Sequence, residues 1–472
     1  STTMHFMPGC EILQSFDLVH WEHVTYVYET LDHTDAQQLK SGQNIYGQGM
    51  WAASLRYHEG RFCICFVAND TRKTYLYTSE KIDGPWKKQL IEGFYHDGSL
   101  LFDEDGRNYI VYGNDEIWIT ELNEDLTAPK KDGLHRLLVS DHKNPELGYE
   151  GSHIQKINGY YYIFLIHSLR DRWMRTEACF YSDSLEGEFT GGDVLCDDRG
   201  YCGQGVAQGG IVDTPDGKWY AMLFQDSGAV GRIPILLPVT WKDHFPFFGQ
   251  NGHVPEEIEV HSTRPGYIYQ PLVGSDDFCN GLLPHWQFNH DPDPRYYHLD
   301  ALQGTYTITT REVCTELTQA VNTLTQRMSY PSCAAEVTVD ASALKEGDVA
   351  GLCALQSCYA AVGITKHHGK YEVLMLDKKE DGILDMTEGT VVESHQMDFR
   401  LEADFCNMKD EARCYYRVNK GDWLPIGTVH KLYFKLDHFT GCRFGLFCYA
   451  AEETGGSACF RDFKYYDVDE IS

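Results

Sequence analysis

Long apolar runs are missing from this sequence. None approaches the roughly 18 residues that a membrane-crossing helix needs, so no such helix and no membrane partner are expected. Positive charge is scarce as well: 40 Lys and Arg stand against 70 Asp and Glu, a formal net charge of -30. A phosphate backbone needs a basic face, so this balance argues against a nucleic acid partner. Cys-x-x-Cys pairs and zinc-type Cys/His spacings are absent, although 16 cysteines are scattered from Cys10 to Cys459. The thiols are therefore expected to be free, mostly buried and in a reducing compartment. No long amphipathic helical period appears either. What is present points to strands: 13% of residues are aromatic, with 30 tyrosines and 23 phenylalanines. With 42% apolar and 23% charged residues, wholesale disorder is excluded, and 472 residues allow two to four domains.

Four segments repeat one pattern, a glycine turn followed by alternating aromatic and aliphatic residues. They are Tyr57–Phe66, Asp103–Tyr112, Lys156–Leu165 and Thr214–Leu223, and their glycines, Gly60, Gly106, Gly159 and Gly217, lie 46, 53 and 58 residues apart. Gly after Asp, Asn or Glu between two strand-like runs is the signal of a tight hairpin. A second motif, a strand ending in a polar turn and a bulky aromatic, recurs at Gln14–Trp21, Thr78–Trp86 and Tyr181–Phe189. Together they give about four strands per ~50-residue unit, the signature of a β-propeller blade. The first unit has the second motif but no glycine hairpin, so the sequence is expected to begin inside the second strand of an incomplete blade one. Counting that unit gives five blades over residues 1–265.

The rhythm changes after Phe248. Residues 266–275 read as a linker containing Pro271, and short alternating stretches such as Gly304–Thr309, Ala334–Asp340 and Cys442–Cys448 follow. A β-sandwich of about 200 residues, 266–472 with its linker, fits them. The expected fold class is all-β, a five-bladed propeller followed by a sandwich.

In a propeller the innermost strand of each blade lines the axial channel, whose mouth is the usual ligand site. Nine residues before each repeat glycine stand Trp51, Asp97, Glu150 and Gln208. Equivalent positions in successive blades should converge on the axis. Two carboxylates, an aromatic and an amide meeting there suit a sugar site with acid chemistry. Neighbouring carboxylates raise one another's pKa and burial adds to this, keeping one protonated so that it can donate to a glycosidic oxygen. His5, His96, His153 and His167 could gather near the same axis, although histidines satisfied singly by hydrogen bonds are the commoner outcome.

The segments Ser1–Gly9, Ser15–Trp21, Trp51–His58, His96–Phe102, Tyr149–His153 and Gly231–Pro238 resemble glycoside hydrolase family 43, in particular its two-domain β-xylosidase/α-L-arabinofuranosidase branch. Trp286–His290 and Asn322–Arg327 resemble the concanavalin-like sandwich of those enzymes. The resemblance spans nearly the whole chain. It implies an exo-acting, inverting hydrolase releasing terminal β-D-xylose or α-L-arabinofuranose from xylo- or arabinoxylo-oligosaccharides. Glu150 falls on the general acid and Asp97 on the carboxylate that tunes and orients it. Arg232 falls on a sugar-contacting arginine, Trp51 on an aromatic wall, and Met4 and His5 on the segment supplying a further wall, with Gln208 beside them.

Two departures accompany the resemblance. The family's general base is an aspartate that would lie upstream of Ser1, so the general base is not in this sequence. The expectation is an impaired chain, with 25–35 further residues in the natural protein. The second departure is at Ala207-Gln208, where many relatives place a calcium-binding histidine. No essential cofactor and no metal are expected, and a structural calcium is doubtful. A non-catalytic carbohydrate-binding propeller is the alternative that the absent base supports. Acidity and free thiols suit a bacterial cytoplasm, and a homo-oligomer is left open.

Overall fold

Glycine turns organise the first half of the chain. At Glu59-Gly60 and Asn158-Gly159 both residues have positive φ, which matches the twist of a two-residue hairpin. The structure is a computed structural model and describes residues 1–467. Four antiparallel four-stranded sheets follow one another: 50–91, 99–140, 150–195 and 207–248. Their innermost strands are Met50–His58, Ser99–Phe102, Glu150–Ile157 and Ala207–Asp213. Apolar residues of adjacent blades fill the gaps between them, as Leu101, Tyr109 and Val111 do against Ile154 and Ile163.

Blade one has two strands, Gly9–Gln14 and Glu22–Tyr28, against four in each of the others. An apolar cavity of about 770 Å³ lies beside it, lined by Ile12, Leu13, Leu55, Met222, Leu236 and Leu272 among others. The expected second-strand role of the opening residues is not what is found. Met4 makes a single bridge to Met50, and Phe6–Met7 pairs with Gln287–Asn289, extending a sheet of the second domain. The cause is burial: Phe6 is fully enclosed among Cys353, Tyr359 and Phe447, with the Arg443 guanidinium 3.7 Å from its ring centre.

The second domain is a sandwich of two antiparallel sheets. One runs Gln287–Asn289, Leu324–Arg327, Arg443–Ala450, Asp348–Leu355, Ala360–His367, Lys370–Lys378 and Leu384–Met386, with Thr390–Val392 also on Lys370–Lys378. The other runs Tyr297–Asp300, Thr305–Thr309, Ser457–Asp467, Ser332–Asp340, Gln396–Asp404, Glu411–Val418 and Leu424–Lys431. Strict alternation on Ser332–Asp340 and Gln396–Asp404 sends Val337, Val339, Phe399 and Leu401 into one core with Leu352, Val362 and Phe444. The chain between the domains is held rather than free: the Thr263 N–H donates to Phe16 O at 2.7 Å, and the Phe16 N–H to Tyr269 Oη at 2.8 Å.

The domains are bonded to each other through backbone. The Cys442 N–H donates to Ala229 O at 2.9 Å and the Ala229 N–H to Asp410 Oδ1 at 3.1 Å. Gly231 and Gly441 pass so closely that a Cβ on Gly231 would meet Gly441 N at 2.6 Å. This contact brings the sandwich loop that carries Phe439 to the mouth of the propeller.

Candidate active site

The inner strands break register at their mouth ends. The ladder shifts between Met50 and Ala53, between Glu150 and His153, and between Ala207 and Gly210. A bulge of this kind turns side chains out of the regular alternation, and here it turns them towards the axis. In the remaining blade Asp97, just before Ser99–Phe102, has φ 47°, a left-handed conformation that a non-glycine residue adopts under constraint. Glu150 is followed by Gly151 at φ 67°, where a Cβ would come within 2.7 Å of the Gln208 side chain. A larger residue at 151 therefore has neither the backbone nor the room.

Trp51, Asp97, Glu150 and Gln208 do come together. His96 sits between them, its Nε2 3.7 Å from both Asp97 Oδ2 and Glu150 Oε2 and its ring 6.0 Å from that of Trp51. Those separations are too long for hydrogen bonds but short enough for strong charge attraction. The Gly151 N–H donates to Asp97 Oδ2 at 3.1 Å, and the Asn114 amide donates to Glu150 Oε2 at 2.7 Å. Glu150 keeps 21% of its side-chain surface open whereas Asp97 keeps 7%, so the first faces the pocket and the second lies behind it.

Electrostatics follow from this burial. The Asp97 carboxyl is pushed up, first by burial and then by the charge of Glu150, with His96, Arg232 and the Gly151 N–H pulling the other way. Burial lowers the His96 imidazole, but the two carboxylates outweigh it and its pKa is raised. The upward shift expected for one of two neighbouring acids thus falls on Asp97.

Arg232 reaches the same pocket from the strand Arg232–Lys242. Its guanidinium lies 4.3 Å from the ring centres of both Phe224 and Phe439, and its Nε is 3.3 Å from Asp226 Oδ1. Burial brings its pKa down to about 10 against the attraction of Glu150 and Asp97. Asp226 also pairs with Arg175, so its charge is shared by two arginines. Phe439 meets Trp51 edge-on at 5.5 Å and closes the wall from the sandwich side.

Met4 and His5 do not serve as exposed walls. Both are fully buried, Met4 with its Sδ 3.7 Å from Thr440 Oγ1, and His5 among Phe6, Tyr46, His290 and His438. The four histidines do not gather. His167 is held between Asp141 and Asp193, His153 lies against Gly210, and only His96 belongs to the carboxylates. Asn114, Asp226, Arg175 and Phe439 complete the pocket beyond the residues expected from sequence, together with His96, one of the four histidines considered for the axis. Of these, the Tyr95-His-Asp-Gly-Ser99 segment carried a visible signal for His96.

Among the described residues, His96, Asp97 and Glu150 form the group whose donor atoms converge, all within 4.8 Å of one another. Ala207 offers a fully buried methyl, and the Gln208 N–H is committed to Glu177 Oε2 at 2.7 Å.

Paired carboxylates at the end of a propeller axis, backed by arginine and walled by aromatic rings, are an arrangement suited to acid chemistry on a sugar. Comparison with known proteins narrows the class: residues 1–246 match glycosyl hydrolases family 43, and the chain belongs to that family. Residues 275–466 match the beta xylosidase C-terminal concanavalin A-like domain. A beta-xylosidase of Formosa agariphila is 25% identical over 99% of this chain and 85% of its own length. A non-reducing end alpha-L-arabinofuranosidase of Bacteroides ovatus is 22% identical over 82% of this chain and 75% of its own. Among solved structures, a bifunctional GH43-CE protein of Bacteroides eggerthii superposes with a TM-score of 0.91 at 41% identity, covering all of this chain. This chain spans 61% of that protein's length.

Proposed function

We propose that the pocket is the terminal-sugar site of an exo-acting, inverting glycoside hydrolase that releases β-D-xylose or α-L-arabinofuranose from hemicellulose-derived oligosaccharides. The observation that carries the reading is the pairing of an accessible Glu150 with a buried Asp97 through the Gly151 N–H. Glu150 is the general acid: it faces the pocket and is oriented by Asn114. Asp97, behind it, sets the field in which that proton is held. Arg232 supplies donors to sugar hydroxyls, and Trp51 and Phe439 supply apolar walls for the faces of a pentose ring. Gln208, beside Gly151, borders the same space. The names of the relatives, a beta-xylosidase and an arabinofuranosidase, support two pentoses as substrates.

Inversion also requires a carboxylate base roughly 6.5–9.5 Å from the acid, with water between them. Among the described residues none is assigned that role. Asp226 is bound to Arg175 and Arg232, and Glu177 is fully buried and accepts the Gln208 N–H. The reading needs no metal, and treatment with a chelator should leave the rate unchanged. Eleven of the 16 free cysteines are buried, which suits a reducing cytoplasm.

The test is a side-by-side assay of aryl β-D-xyloside and aryl α-L-arabinofuranoside, with calorimetric binding of xylose and arabinose. Glu150→Ala should abolish turnover of both glycosides while the far-ultraviolet spectrum stays that of the parent. Trp51→Ala and Arg232→Ala should each weaken pentose binding by about tenfold or more. Pentose binding unaffected by either substitution, or near-parental hydrolysis of unactivated oligosaccharides by Glu150→Ala, would overturn the assignment.

A further inference from the structure

One side chain touches three of the four inner strands beneath the pocket. Arg56, on the Trp51 strand, donates from Nε to Leu100 O at 3.0 Å and from Nη1 to Leu55 O at 2.9 Å. Its Nη2 donates to Ser99 Oγ and to Ile154 O, both at 2.9 Å. Ser99 Oγ also accepts the Ile154 N–H at 3.2 Å. Every acceptor is a carbonyl or a hydroxyl. Among the described residues no carboxylate pairs with Arg56, and burial alone brings its pKa down to about 10.

A half-buried cation without a counter-ion loses part of its hydration, and its hydrogen bonds to carbonyls and a hydroxyl must make up for it. The planar fork of a guanidinium carries five donors in fixed directions, enough to bind three strands at once. The strands bound are those of Trp51, Asp97 and Glu150. Ser99 is two residues beyond Asp97, and Ile154 four beyond Glu150. Directly above, the inner ladders on either side are broken by bulges at Met50/Ala53 and Glu150/His153, so ordinary strand pairing holds the mouth weakly. The cross-blade bonds of Arg56 lie in the regular ladder just beneath those breaks, where Arg56 faces Cys63 and Ile154 faces Ile163.

We propose that Arg56 is a positioning residue whose four hydrogen bonds fix the three inner strands in the mutual register that sets Asp97, Glu150 and Trp51. The kinetic consequence rests on the function proposed above; the structural one does not.

The experiment compares Arg56→Met, Arg56→Lys and Ser99→Ala with a control, Tyr161→Phe, which removes the 2.5 Å bond to Asp103 Oδ2 away from the pocket. Hydrogen-exchange mass spectrometry is read on peptides 95–102 and 149–157 and, for reference, on 160–168. In Arg56→Met the first two should exchange about tenfold faster or more while 160–168 keeps its parental rate. Arg56→Lys and Ser99→Ala should fall between, and they carry the test if the methionine variant does not fold. With an aryl pentoside, kcat should fall about a hundredfold in Arg56→Met with KM within about threefold, the loss expected of a misplacement near 1 Å. Tyr161→Phe should leave kcat unchanged. Parental exchange in the Arg56 variants, or acceleration spread evenly over all blades, overturns the proposal. If the parent neither hydrolyses either pentoside nor binds xylose or arabinose, the functional reading fails and the exchange data still decide the role of Arg56.

Discussion

Asn114 and Glu150 belong to different blades, yet the Asn114 amide donates to Glu150 Oε2 at 2.7 Å. Asn114 ends the second strand of its blade, Asn108–Asn114, and Glu150 opens the inner strand of the next. In the other direction the Gly151 N–H returns to Asp97, on the blade of Asn114. The two carboxylates are thus each fixed by a donor from the opposite blade, and the pocket is built across the blade boundary.

Removing the amide should therefore cost chemistry more than stability. A hydrogen bond contributes about 0.5–1.5 kcal/mol, so Asn114→Ala should lower kcat by roughly 2–10-fold. Asn114 is exposed, and its loss should change the unfolding free energy by less than about 1 kcal/mol. Steady-state kinetics and urea unfolding on the same preparation check both. A variant with parental kcat would show that Glu150 needs no such partner.

Phe439 tests the contribution of the second domain. It touches Trp51 and Arg232 while the backbone of its loop is bonded to Ala229. Phe439→Ala should open the pocket wall and weaken pentose binding by about tenfold, with Phe439→Leu nearer the parent. The ring is buried, so truncation should also destabilise the chain by about 3 kcal/mol or more. Calorimetric titration with xylose measures the first effect and thermal unfolding the second. Unchanged affinity in the alanine variant would separate the sandwich from the site.

The pocket was legible in the sequence where the fold is periodic. One step of nine residues back from each hairpin glycine leads to Trp51, Asp97, Glu150 and Gln208 because each blade repeats the same strand–turn–strand, and equivalent positions must meet on the axis. Phe439 left no such trace. It is brought to Trp51 by a domain contact almost 400 residues away along the chain, and no local pattern encodes that. Met4 and His5 were misplaced for a related reason. Their neighbour Phe6 is drawn into the sandwich core, and a strand of two residues carries too little alternation to announce its partner. Asn114 is a polar residue at a strand end, where sequence alone suggests only a turn.

His5, His290 and His438 lie together, fully buried, where the two domains meet, with the His5 ring 4.8 Å from that of His290 and 5.4 Å from that of His438. Burial lowers His290 to about 3 and His438 to about 4, the latter with Asp437 opposing and Arg443 assisting, and it lowers His5 as well. A histidine depressed in the folded state stays neutral there while the unfolded chain takes up a proton near pH 6.5. The stability it lends is complete above pH 6.5 and drains away as pH falls towards 4 and 3. At pH 5 the loss should be about 2 kcal/mol for each of His290 and His438. Among the described residues neither ring nitrogen of His5 or His438 has a hydrogen-bond partner, so phenylalanine can replace either without stranding a polar group. His438→Phe should accordingly recover about 2 kcal/mol of the loss between pH 7.5 and pH 5.0, read by urea unfolding at the two values. An unfolding free energy with the same pH slope in parent and variant would place the acid sensitivity elsewhere in the chain.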